Sequence, residues 1–80
     1  MKLQLINGQF SSEEIIDIVG KMIQVKINFH EQKISNSDTE EDIKQREKKI
    51  KTLQENLQEI RSTLKDKNNI SLDGQLNFGL

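Results

Sequence analysis

The sequence predicts an α+β fold, predominantly helical, in the order strand, helix, helix, strand. The helices form a long antiparallel hairpin of coiled-coil type, flanked by short N- and C-terminal strands. Three observations carry this reading. Two long stretches repeat apolar residues at helical spacing, a capping motif marks where the first begins, and the end of the chain alternates apolar and polar side chains. The alternative is a plain helical hairpin with disordered ends.

Residues 1–10 read as strand and turn. Leu3 and Leu5 alternate with Lys2 and Gln4, and Asn7-Gly8 is a stop signal. A helix over 11–34 follows. Ser11 and Glu14 have the spacing of a capping box, and Phe10 and Ile15 occupy the flanking hydrophobic-staple positions. Ser35-Asn36-Ser37 breaks the pattern, so 35–38 is a loop. Ser37 with Glu40, or Asp38 with Glu41, offers a second capping box, and the acids from Asp38 to Asp42 suit the positive end of a helix dipole. The second helix spans 39–67, with Lys65 and Lys67 in its last turn and Asn68-Asn69 as its stop.

In residues 70–80 the apolar side chains fall at Ile70, Leu72, Leu76, Phe78 and Leu80, all on one face of a strand. A two-residue hairpin turn at Asp73-Gly74 would pair Leu72 with Gln75 and mix the faces. One continuous strand, bulged at Gly74, keeps the apolar face whole.

The second helix has a narrow seam. Ile43, Ile50, Leu57 and Leu64 recur every seven residues, Leu53 and Ile60 interleave, and Arg46 is the polar exception. The first helix matches it with Ile15, Met22 and Phe29. Folding the chain at 35–37 pairs Phe29 with Ile43, Met22 with Ile50 and Ile15 with Leu57, and brings Val19 near Leu53. The first helix then has apolar surface to spare, because its apolar arc covers roughly 200°. Ile16, Ile23, Ile27 and Ile34 make a second stripe, bordered by Gly20 and His30. The expectation is a homodimer whose interface is Ile16, Gly20, Ile23, Ile27, His30 and Ile34. The competing arrangement lays the two strands along the first helix, over that stripe.

The composition bounds function by exclusion. The chain has 80 residues, 32% hydrophobic and 31% charged, with a net charge of -1. This is one small domain, residues 1–80. Without cysteine there is no disulfide framework, thiolate zinc site or cysteine nucleophile. No apolar run approaches the roughly 20 residues that span a bilayer. The first residues are too polar for a signal peptide, so a cytoplasmic location is expected.

The glycines form no phosphate-loop or dinucleotide motif. His30 has Lys26, Ile27, Lys33 and Ile34 as helical neighbours, so no metal-sharing partner lies on its helix face. Carboxylate pairs such as Glu13/Glu14, Glu40/Glu41 and Glu55/Glu59 have no burial to divide acid from base roles. No enzyme activity, cofactor or metal is expected.

Lys44, Lys48 and Lys51 share a helix face and suggest phosphate contact. Glu40 stands four residues before Lys44, and Glu47 four before Lys51, in the order that favours salt bridges along a solvated face. The expected function is a non-catalytic protein–protein interaction or scaffold module, dimerising through the hairpin and open to an unidentified protein partner. The alternative is a small nucleic-acid-associated regulator using Lys44, Lys48 and Lys51.

Overall fold

The computed structural model describes residues 1–80. It has the expected order: β1 Lys2–Phe10, α1 Ser12–Ser35, α2 Glu40–Leu64 and β2 Ile70–Asn77. The capping box at the head of α1 forms. The Ser11 hydroxyl accepts from the Glu14 N–H at 3.2 Å, and the Glu14 carboxylate accepts from the Ser11 N–H at 2.9 Å. The next free amide, that of Ser12, donates to the Lys67 carbonyl at 3.1 Å. This bond ties the start of α1 to the connection between α2 and β2.

The ends of α2 differ from expectation. Its N-cap is Thr39, whose hydroxyl accepts from the Asp42 N–H at 3.4 Å. Neither Ser37 nor Asp38 caps it. The Ser37 hydroxyl instead accepts from the Thr39 N–H at 3.4 Å. At the other end α2 stops at Leu64, three residues short of Lys67. Asp66 has φ 62° and Asn69 φ 54°. Their short polar side chains tolerate this left-handed conformation better than most, and it turns the chain toward the sheet.

The strands pair antiparallel, from Phe10 opposite Ile70 to Lys2 opposite Asn77. β2 is one continuous strand, so the Asp73-Gly74 hairpin is absent. The bulge lies on the other strand. The register shifts between Gln4 and Ile6, which leaves Leu5 as the extra residue, while Gly74 pairs regularly with Ile6. The shift has a purpose in side-chain parity. It puts Ile6, Gly8 and Phe10 on the same face as Leu3, opposite Gly74, Leu72, Ile70 and Leu76.

Asn7-Gly8 therefore does not end β1. Gly8 keeps a negative φ, and the Phe10 ring lies where it would meet a Cβ at 3.5 Å. Backbone bonds between Met1 and Phe78 extend the ladder by one more pair.

The hairpin also differs in register and rotation. Gly20 lies against Leu57, and the imidazole of His30 meets the guanidinium of Arg46 at 3.1 Å. Both contacts sit about one helical turn from the expected pairing of Ile15 with Leu57 and Phe29 with Ile43. α1 is also turned about its axis. Ile27 and His30 are buried, and Ile16, Gly20, Ile23 and Ile34 are half-buried. The stripe expected to await a second chain is thus taken up inside the hairpin. Met22 and Phe29, expected in the seam, are 44% and 50% exposed.

Nor do the strands lie along α1. They pair with each other beyond the end of the hairpin and pack little against it. The molecule measures 46 × 33 × 13 Å, so it is about as thick as one helix with its side chains. Only Ile15 and Ile27 among the apolar residues are buried, and α2 contributes no buried residue.

Gly20 provides a test of this packing. An added Cβ would sit 3.7 Å from the Leu57 side chain, an ordinary contact. Replacing a helical glycine by alanine gains roughly 0.5–1 kcal/mol when nothing clashes. Gly20→Ala is expected to raise stability by about that amount in urea unfolding. A loss of stability would mean that another backbone approaches there.

Candidate functional site

Two features stand out. The first is a continuous apolar stripe on α1 that α2 leaves largely uncovered. Ile18, Met22, Val25 and Phe29 follow one another at spacings of four, three and four, the pattern of a coiled-coil seam. Ile18 is half-buried, Met22 and Phe29 are largely exposed, and Val25 is 69% exposed. At about 100° per residue, this stripe lies well over 100° around α1 from the residues that face α2. The far end of the sheet adds Met1, Leu3, Leu5, Leu76 and Phe78, all exposed.

The second feature is a polar cluster in the hairpin seam. Arg46, the exception in the α2 repeat, meets the exception in the α1 stripe, His30. The Arg46 Nη1 lies 3.1 Å from His30 Nδ1, and its Nε donates to the Asp42 carboxylate at 3.1 Å. A guanidinium only donates, so Nδ1 accepts and the imidazole proton sits on Nε2. That N–H is buried and has no partner. The Phe29 ring stands edge-on to His30, with Lys33 and Arg46 over its face at 5.5 and 6.0 Å.

Burial and the positive charges of Arg46, Lys49 and Lys26 hold His30 below its usual pKa. Asp42 shifts down as well, because the Ser37 hydroxyl and Arg46 stabilise its carboxylate. No group of three His, Cys, Asp or Glu side chains, around this cluster or elsewhere, is arranged to hold a metal ion.

His30 also lines a groove between the helices, with Lys26 from α1 and Lys48, Lys49, Thr52, Leu53 and Asn56 from α2. No carboxylate lies within salt-bridge distance of its three lysines. The chain has only two ion pairs, Lys21–Asp17 and Arg46–Asp42. The expected bridges from Glu40 to Lys44 and from Glu47 to Lys51 do not form.

Lys44, Lys48 and Lys51 are all exposed, as a solvated face requires. The structure divides them, however. Lys48 belongs to the rim of the groove, and Lys51 borders a separate shallow patch with Gln54, Glu55 and Gln58. The groove itself was not expected, although the two polar exceptions in otherwise apolar stripes are its sequence signal. No protein-family model, curated protein or solved structure matches this chain.

The His30 environment sets a pH dependence. The folded state resists a proton that the unfolded chain accepts near its ordinary pKa of about 6.5. Stability is therefore full above that value and falls as the pH drops below it. Asp42 adds a second loss only in the carboxylate range. Urea midpoints are expected to fall between about pH 7.5 and about pH 5.5, and His30→Leu to remove most of that fall. An unchanged slope in the variant would assign it to other groups.

Proposed function

We propose that this chain is a non-catalytic protein–protein interaction module that acts as a homodimer in the cytoplasm. The unpartnered Ile18–Met22–Val25–Phe29 stripe carries the reading. It differs from the stripe expected from sequence alone, because the hairpin already occupies that one. Val25, at 69% exposure, is left uncovered by the rest of the chain.

Area supports a second copy as the occupant. The chain exposes 6453 Å², whereas a folded monomer of 9.3 kDa typically exposes about 5,000 Å². The surplus of roughly 1,500 Å² is of the size that an obligate dimer removes from each partner. The Cα radius of gyration, 15.2 Å, also exceeds the roughly 11.6 Å of a compact chain of this length. A domain normally needs two packed layers, and this one supplies a single layer.

A two-fold axis lets one stripe pack on itself, so no second type of surface is required. α1 then lies at the centre of four helices, and α2 and the sheets lie outside. The outer face of α2 and the strand edges remain open to a further protein partner.

Size exclusion with light scattering tests this at micromolar concentration. The unmodified chain is expected to have the mass of two copies. Val25→Glu and Met22→Glu are expected to have the mass of one, with their helical circular dichroism retained. A single-chain mass for the unmodified protein overturns the dimer. A dimer that survives both substitutions moves its interface elsewhere.

A further inference from the structure

We propose that the groove between α1 and α2 is a binding site for a multiply charged oxyanion, of the class of a diphosphate group. Three independent features converge there. Lys26, Lys48 and Lys49 bring three positive charges to one groove, and none has a carboxylate partner. This concentration of charge is uncompensated in a chain whose net charge is -1. His30, which forms part of the groove wall, is 95% buried, and its Nε2–H lacks an acceptor. Asn56 adds amide donors at the groove edge.

The physical chemistry follows from these parts. A buried donor without a partner costs of the order of a hydrogen bond, and an anion supplies the missing acceptor. Arg46 does not itself take the anion, because Asp42 neutralises it. Its role is to hold the imidazole with the proton on Nε2, the nitrogen that can donate. The Nε2 atom is closed to solvent, so neighbouring side chains must turn aside before an anion reaches it. A carboxylate would offset one of three charges, whereas a diphosphate offsets them all. The groove has room for ≈ 410 Å³, within the range of small-molecule sites, so an organic diphosphate fits as well as a free one. The groove borders the Ile18–Phe29 stripe at Phe29, whose ring stands against His30, but none of the four stripe residues lines it.

The test is a nuclear magnetic resonance titration of the full chain, following the His30 ring nitrogens and the backbone amides. The probes are inorganic diphosphate, a nucleoside diphosphate and a single-stranded oligonucleotide, with sodium chloride at matched ionic strength as control. Millimolar diphosphate is expected to shift Nε2 and the amides of Thr52, Leu53 and Asn56 to saturation. Bound anion is also expected to raise the His30 pKa toward or above its ordinary value.

Lys26→Gln and Lys49→Gln are each expected to weaken binding about fivefold, and Lys51→Gln to leave it unchanged. Tighter binding of the nucleoside diphosphate would identify an organic ligand, and equal binding a free one. Three results overturn the site: no shift at His30, a response that sodium chloride reproduces, or diphosphate shifts confined to the amides of Lys44 and Lys51. His30→Gln tests the ring separately. Unchanged affinity in that variant would overturn the part assigned to Nε2–H.

Discussion

A helix presents side chains all round its axis, and one neighbouring helix covers only part of that circle. α1 meets this limit directly. It carries two apolar stripes, and the chain has one other helix to offer. The sheet does not help, because its strands close on each other beyond the end of the hairpin. The thin outline of the molecule, its half-buried α2 and its large accessible surface all follow from that shortage. So does the choice of α1 as the place where a second copy would attach.

Much of the fold was legible because local chemistry and global pattern agreed. Ser11 and Glu14 could satisfy each other's backbone amides only at a helix start. The even-numbered apolar residues from Ile70 to Phe78 could share a face only in an unbroken strand. The rotation of α1 was not legible in the same way. Its two stripes have similar spacing and similar content, and either one matches the seven-residue repeat of α2. The Phe10–Ile70 pairing and the bond from Ser12 to Lys67 tie the start of α1 to the sheet, and neither contact belongs to a helix stripe. The bulge was misplaced for a related reason. Gly74 looked like the weak point of a strand, but parity had to be corrected on the strand whose apolar residues switch from odd to even.

The polar cluster shows what information the sequence held unused. His30 and Arg46 each interrupt an apolar stripe, and two interruptions are cheaper together than apart, since each then has a hydrogen-bonding partner. Matching them would have selected the observed stripe and shifted the register by a turn. The lysine groove follows from the same match. Lys26 and Lys49 flank the pair from opposite helices, and no reading of one helix face at a time brings them together. The acidic residues ahead of Lys44 suggested neutralisation along α2, but Asp42 is spent on Arg46 and the others reach no lysine.

The two-stranded sheet has a consequence for assembly at high concentration. Both of its strands have an unpaired edge, and such edges tend to recruit further strands without limit, whereas a two-fold helix contact closes on itself after two copies. The bulge at Leu5 interrupts the regular spacing of one edge, and Lys2 places a charge near its end. Asp73, midway along the other strand, accepts instead from the Gln4 side chain at 2.6 Å, a bond within the sheet. These features make the sheet a poor template for its own extension. They disfavour open-ended strand addition by a chain that leaves this much apolar surface uncovered.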